Sequence, residues 1–281
     1  MQTQPCNPLV FPHSISYTLK TMTNHSNKPI LLYHKIDPRW EVGVTNVFPG
    51  TFRKQMSLAY SQDKKLLPLE TAITSDDPNV IGLTFDDGYT SIGLHALPIL
   101  SEFRFTGTVF LITDAIGKSN RWEAQLAWRT FYHLDNSSVF GLLFAGWRIG
   151  SHGVSHTAFT LLNDEQARLE LIVSKDILEQ RFGHPIVSFA FPFGRYCAHH
   201  LEMALEAGYQ WLCVAPLRGE LAPGISKHVV YRRPIYFGDS LSRFSQMLEP
   251  RPLTDKELFR IRLANRLAGG TIIVQKFRKI F

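Results

Sequence analysis

The sequence predicts an α/β domain in which parallel βαβ units close into a barrel. Three observations carry this. Short apolar, β-branched runs alternate with amphipathic helical stretches through most of the 281 residues, a pattern that favours parallel strands with crossover helices. Several of the apolar runs end in residues able to carry chemistry: His34, Asp86-Asp87, His152 and Pro192. The glycine-rich phosphate fingerprint that follows the first strand of a dinucleotide-binding sheet is missing. With no linker forcing a domain boundary, one barrel is preferred to a Rossmann sheet.

Residues 1–28 form a weakly patterned lead. Pro29 to Ile36 is a short apolar strand interrupted by His34 and broken by Asp37-Pro38. Phe52 to Tyr60 has helical spacing, and Leu66 to Leu69 is a short extended piece. Val80 to Phe85 reads as a buried strand delivering Asp86 and Asp87 to one end of a sheet. Ser91 to Phe103 is predicted helical, with Pro98 as a kink or packing feature. Gly107 to Ile112 is a further strand. Residues 120–146 are rich in aromatics and irregular. A strand at 147–150 leads into Ser151 to His156. Asn163 caps a helix to Phe182, with Gln166 at the capping-box position and Gly183 as the stop. Strands at 187–191, 209–215 and 229–235 alternate with a helix at 199–207. Amphipathic helices at 240–248 and 255–267 complete the chain. The domain expectation is a lead over 1–28, a barrel over 29–248 and a basic helix and tail over 249–281.

Composition narrows the function classes. A hydrophobic content of 44% with 19% charged residues describes a globular protein with a sizeable core. The net charge of +6 owes much to Arg260, Arg262, Arg266, Lys276, Arg278 and Lys279. Such a tail suits solvent or weak contact with an anionic membrane surface, and no nucleic-acid-binding motif accompanies it. Cys6, Cys197 and Cys213 are too scattered for a disulfide framework or a thiolate zinc site, and they fit a reducing compartment. Residues 1–28 lack the apolar core of a signal peptide, and no stretch approaches the roughly 20 apolar residues of a membrane span. A cytoplasmic, at most membrane-peripheral, location is expected, with Met1 or Met22 as the start. The oligomeric state is not legible.

Two adjacent carboxylates repel each other and resist desolvation unless a cation lies close. Asp87, His152 and His156 make a two-histidine, one-carboxylate set that suits zinc, with cobalt, nickel or iron as alternatives. Three protein ligands leave an open position for water, whose pKa can approach about 7 when coordinated. The spacing of His152 and His156 allows one helical turn or a tight loop after a strand. Asp86 lies beside the ligand and is the candidate general base. Adjacent strand residues face opposite ways, so the backbone must turn at Asp86-Asp87, as Gly88 permits. His34 is the candidate general acid. Phe191-Pro192-Phe193-Gly194 places a rigid turn at another strand end, where Phe193 and Pro192, with Tyr89, are candidate oxyanion or substrate contacts.

These motifs resemble those of the polysaccharide deacetylase family, the NodB-homology proteins of carbohydrate esterase family 4. Thr84-Phe85-Asp86-Asp87-Gly88 is similar to its first motif. Gly150-Ser151-His152-Gly153-Val154-Ser155-His156 is similar to its second, and Phe189-Ala190-Phe191-Pro192-Phe193-Gly194 to its third. The resemblance spans about Ile30 to Ile235. It implies a distorted (β/α)7-type barrel of about seven strands in a single domain. It further implies a metal-dependent deacetylase of N- or O-acetylated sugars, most simply with zinc, in which Asp86 is the base and Asp87, His152 and His156 bind the metal. Leu32-Tyr33-His34 looks like the family's leucine-x-histidine motif moved to the N-terminal side, as in the permuted poly-N-acetylglucosamine deacetylases, and this supports His34 as the acid. Two departures stand out. Gly153 occupies a position that often carries a hydroxyl, and Ala190 stands where an arginine commonly braces the base. Arg232 or Arg233 is the expected substitute. The competing readings are an amidohydrolase acting on a small C–N substrate and a degenerate barrel that binds glycan without turning it over.

Overall fold

The computed structural model describes residues 28–41, 43–120, 130–216 and 221–267. The N-terminal lead up to residue 27, part of the aromatic stretch and the tail beyond residue 267 lie outside the described residues. Within them the ladder runs, in spatial order, through β10 (Val229–Tyr231), β9 (Trp211–Val214), β8 (Ser188–Ala190), β7 (Arg148–Ser151), β6 (Thr108–Leu111), β5 (Val80–Phe85), β1 (Ile30–Tyr33) and β11 (Arg233–Pro234). Every pairing is parallel. A short strand, β4 (Lys65–Leu67), pairs the first half of β5, below the point where β6 joins it. Two further strands, β2 (Lys35–Ile36) and β3 (Asn46–Val47), form a separate parallel pair.

Closure comes from one extended segment. Val229–Tyr231 pairs with β9, whereas Arg233 and Pro234 pair with Leu31 and Leu32 of β1. The two halves join the ends of the sheet, and Arg232 sits at the changeover. Counting β10 and β11 as one, seven strands make a nearly closed single-domain barrel. The parallel order puts every strand's C-terminal end on one face, where His34, Asp86, His152, Pro192 and Arg232 are gathered.

Burial follows the pleat. Ile30, Phe110, Ala190, Cys213 and Val230 share one small cluster, while Leu31, Val109, Phe189, Leu212 and Val229 belong to a larger one. Alternate residues of each strand therefore fill the barrel interior or pack under the helices, which is why β5 is buried at all six positions. The helix α2 (Leu69–Thr74) plugs the N-terminal mouth, adding Leu69, Ala72 and Ile73 to the interior. Its Glu70 accepts hydrogen bonds from Thr108 Oγ1 and Ser188 Oγ.

The outer layer contains α1 (Pro49–Ser61), α3 (Leu97–Glu102), α4 (Asn136–Phe144), α5 (Asp164–Phe182), α6 (Ala198–Glu206), the short α7 (Pro223–Ser226), α8 (Leu241–Met247) and α9 (Asp255–Leu267). The capping box of Asn163 and Gln166 opens α5, and left-handed Gly183 closes it. Its buried stripe of Ala167, Leu171, Leu178 and Phe182 is as expected, with Ser174 added. The expected helix from Ser91 begins instead as a π-helical turn over Ile92–Ala96 before α3, beside Pro98, consistent with proline's missing N–H. The extended piece expected to run to Leu69 stops at Leu67, where α2 takes over. The irregular aromatic region contains α4, capped by Asp135. Cys197 is disulfide-bonded, while Cys213 is free and buried. No helix among the described residues is long and apolar enough to cross a membrane.

Gly150 shows how tightly the interior is filled. A Cβ there would lie 2.5 and 2.6 Å from the Phe110 ring and 2.7 Å from Ser188 Oγ. Replacing a strand glycine ordinarily helps, since glycine is costly within a strand. Here overpacking dominates, and Gly150→Ala is expected to lose about 1–3 kcal/mol. A urea titration checks this: the midpoint falls with its slope unchanged, and a raised midpoint would contradict the packing argument.

Candidate active site

The site begins with the end of β5. Phe85 faces the outer core, so alternation turns Asp86 inward and would turn Asp87 away. Asp87 escapes by taking a left-handed conformation, φ +68°, followed by Gly88 at φ +65°. A Cβ on Gly88 would also lie 2.6 Å from Leu111 Cδ2. The turn is fastened from outside: His133 Nδ1 is 2.7 Å from the Asp87 carbonyl and Leu134 N–H donates to the Gly88 carbonyl at 2.8 Å. A carbonyl only accepts, so Nδ1 of His133 carries the proton.

The histidine pair follows β7. His152 N–H continues the ladder to the Leu111 carbonyl, and then Gly153 (φ +83°) and His156 (φ +56°) fold the chain into a tight loop rather than a helical turn. His152 Nδ1 is 2.6 Å from the Ala190 carbonyl at the end of β8. This fixes the Nδ1–H proton and directs Nε2 to the other side. Nε2 of His152 and Nε2 of His156 lie 3.4 and 3.2 Å from Asp87 Oδ1. That oxygen is buried and has no hydrogen-bond partner. Donors each about 2.0–2.1 Å from one tetrahedral zinc are separated by about 3.3–3.4 Å. The three side chains, all buried, therefore fit a common divalent ion.

The remaining charge is equally organised. Arg232 reaches Asp86 with both terminal nitrogens, at 2.6 and 2.7 Å, and its guanidinium lies over the Phe110 ring. Burial pushes the Asp86 carboxyl up, but Arg232 and His152 outweigh it and hold it below the ordinary value. Asp87 is held well below that value; burial opposes this and the two histidines prevail. Burial also presses His152 down, yet Asp86 and Asp87 raise it above the usual histidine value. Two carboxylates facing one guanidinium thus draw in a further positive charge. Burial lowers His34 despite the same carboxylates, so its resting form is neutral. It stands beside Asp86 because Tyr33 and Phe85 are register partners.

Residues 74–212 match the family model described as polysaccharide deacetylase. The chain is 27% identical over 234 residues to the Bacillus subtilis (strain 168) protein named "Putative polysaccharide deacetylase YxkH", covering 79% of this chain and 76% of that one. The Streptococcus pyogenes deacetylase PplD, solved in complex with acetate, is 22% identical, with TM-score 0.67 over 79% of this chain and 98% of that chain. BC0361, a polysaccharide deacetylase from Bacillus cereus, is also 22% identical, with TM-score 0.65 over 79% and 68%. IcaB from Ammonifex degensii is 20% identical, with TM-score 0.63 over 78% and 96%. The family model and the Bacillus subtilis relative together support this chain as a member of the polysaccharide deacetylase family. It is a carbohydrate deacetylase, a class that acts on amide or ester bonds.

In this deacetylase His34, Asp86, Asp87, His152, His156 and Arg232 converge on one face. Phe193, at φ +56°, lies against His156 with ring centroids 4.5 Å apart, and Pro192, which opens that turn, is buried. Two candidates stand elsewhere. Arg233 donates to the carbonyls of Met247, Glu249 and Arg251. Tyr89 is buried, with its hydroxyl accepting from Asn120 Nδ2 and its ring stacked on His133. Sequence reading did not single out His133, nor Lys35, which is buried between the Tyr89 and Phe131 rings and paired with Glu41. The unusual presence of a lysine inside an apolar strand was the available signal.

The Arg232–Asp86 pair is buried at both ends, and removing one partner strands the other charge. Arg232→Ala is expected to cost about 3–5 kcal/mol of stability. Arg232→Lys should recover little, because an ammonium cannot reproduce the bidentate geometry. Differential scanning calorimetry of the two variants tests this; melting within a degree of the parent would refute it.

Proposed function

We propose that the chain is a metal-dependent hydrolase that removes acetyl groups from N-acetylated or O-acetylated sugars of a polysaccharide or glycan precursor. Asp87, His152 and His156 hold a divalent ion, most simply zinc, with cobalt, nickel or iron as alternatives. The observation that carries the reading is the placing of both Nε2 atoms 3.4 and 3.2 Å from Asp87 Oδ1, the separation expected of donors sharing a tetrahedral ion, set beside a base braced by arginine. An ion in that position supplies a Lewis acid and lowers the pKa of coordinated water.

The chain's own residues supply the rest. Asp86 accepts the proton of the attacking water. Arg232 occupies one lone pair of each Asp86 oxygen, which leaves another on each to accept that proton and keeps the carboxylate charged and oriented. His34, neutral at rest, takes up a proton during turnover and passes it to the departing amine or alkoxide. Phe193 is the candidate oxyanion donor through its backbone amide, with Pro192 holding the turn. Tyr89, buried with its hydroxyl engaged by Asn120, supports the Asp87-Gly88 turn through its packing on His133 rather than meeting substrate. Ala190 lacks the arginine of the third motif, and Arg232 serves in its stead.

The order of strands supports the permuted poly-N-acetylglucosamine deacetylase branch. The histidine strand β1 comes first in the chain yet lies directly beside β5. A small-molecule amidohydrolase would use the same residues and is separated by substrate. Arginine pairing of Asp86 supports turnover over glycan binding without chemistry. The basic residues Lys276, Arg278 and Lys279 suit contact with an anionic membrane surface and a lipid-linked substrate.

Acetate release from a panel of N- and O-acetylated sugars, before and after chelation, tests the proposal. Activity is expected to vanish with chelator and return with zinc. Asp86→Asn is expected to lower turnover about 10²–10⁴-fold while metal content stays at one ion per chain. Full activity in Asp86→Asn would remove the base assignment, and chelator-resistant release would remove the metal.

A further inference from the structure

We propose that Glu170 is a positioning residue for the two histidine ligands, and that Gly153 is the feature that admits it. The inference rests on the metal reading above. Glu170 projects from α5, one turn before Ser174, towards the loop that carries His152 and His156. Its Oε2 accepts from Val154 N–H at 2.6 Å and Ser155 N–H at 3.1 Å, and its Oε1 accepts from Ser155 Oγ at 2.5 Å. One carboxylate thus gathers three donors from the residues lying between the two ligands. Two adjacent amides pointing the same way make a small anion-accepting concavity, here filled by the protein's own side chain.

Gly153 makes room for this. It takes φ +83°, and a Cβ built on it would stand 2.8 Å from Glu170 Oε2. The hydroxyl that often occupies this position in the family is therefore excluded while Glu170 is in place. Each of the two residues explains the other: the glycine gives up a local side-chain brace, and the glutamate supplies one from the neighbouring helix.

The rest of the loop is pinned to the same frame. Gly153 N–H donates to Ser151 Oγ, and Ser151 Oγ donates to Ser174 Oγ on α5. On the opposite side Thr113 and Asp114 N–H donate to the Gly153 and Val154 carbonyls. Among these restraints the Glu170 carboxylate alone touches both Val154 and Ser155, the residues that set the distance from His152 to His156. His156 itself is left-handed, a conformation that costs energy and persists only when its surroundings enforce it. Holding that geometry before an ion binds lowers the ordering cost of binding, the effect expected of groups that orient metal ligands.

The test is zinc affinity of the full-length apo-protein, measured by competition with a chromogenic chelator and accompanied by thermal melting. Glu170→Ala is expected to weaken zinc binding about 10–100-fold. Glu170→Gln keeps an acceptor oxygen for the two amides and is expected to recover most of the loss, which a simple loss of helix packing would not predict. Gly153→Ala, alone, pays for both its positive φ and its collision with Glu170. The φ penalty is common to both backgrounds, so a double-mutant cycle with Glu170→Ala isolates the collision. The double variant is expected to bind zinc more tightly than the two single losses predict.

Affinity within two-fold of the parent in folded Glu170→Ala would overturn the inference, as would strictly additive losses in the cycle. If Glu170→Ala fails to fold, Glu170→Gln and Gly153→Ala decide it: unchanged zinc affinity in both overturns it. A parent protein that binds no divalent ion defeats the metal reading and this inference together. A parent that binds zinc, with variants that bind it equally well, defeats this inference alone.

Discussion

Two carboxylates buried side by side at the mouth of a barrel demand positive charge, and this fold brings it from two separate later stretches of the chain. Asp86 receives Arg232, 146 residues later, from the strand that closes the barrel. Asp87 receives two imidazoles from the loop after β7. The separation of partners follows from a single backbone event, the left-handed turn at Asp87, which sends adjacent side chains in different directions. Without it the alternation of the strand would leave one carboxylate under the helices with no counter-charge. His133 and Leu134 fasten that turn through main-chain oxygens, so the electrostatics of the centre depend on hydrogen bonds made outside it.

Left-handed backbone is concentrated accordingly. Among the described residues five non-glycine positions have positive φ, and Asp87, His156 and Phe193 are three of them. Each lies just beyond a barrel strand. A parallel barrel ends its strands at one face, and a residue that must aim sideways across that face cannot keep the extended conformation. The cost, of order 1–3 kcal/mol each, is borne by two cores: a narrow interior plugged by α2 and a wider shell under the helices. Aromatic packing in the shell, with Tyr33, Phe52 and Phe85 in mutual contact and Trp147 against Phe85, holds the strands whose ends meet at that face.

Much of this was legible in the sequence because its signals are local. Runs such as Val80 to Phe85, the capping box at Asn163 and the histidines at strand ends each announce themselves within a few residues. What stayed hidden depends on distant partners. Arg232 and Arg233 are neighbours of equal chemistry, and only the change of pairing between β10 and β11 sends one to Asp86 and the other to the carbonyls after α8. Leu69 to Thr74 is too short for helical periodicity to be visible, and its role as a plug follows from closure of the barrel. His133 lay in the irregular aromatic stretch, and Glu170 falls outside the apolar stripe of its helix. Nothing in their local pattern reveals which backbone groups they meet. The backbone turn expected at Asp86-Asp87 is present: Asp87 and Gly88 are both left-handed, and aspartate tolerates that region better than most side chains.

The changeover in the closing strand also has a temporal meaning. A ribosome delivers Asp87, His152 and His156 well before it delivers Arg232. Those three residues are thus synthesised while the barrel is still open, whereas Asp86 meets its counter-charge only when residues 229–234 dock against both β9 and β1. The same main-chain hydrogen bonds that seal the ring seat the guanidinium. Fraying of that seam in the finished protein would withdraw the counter-charge from Asp86 in the same motion.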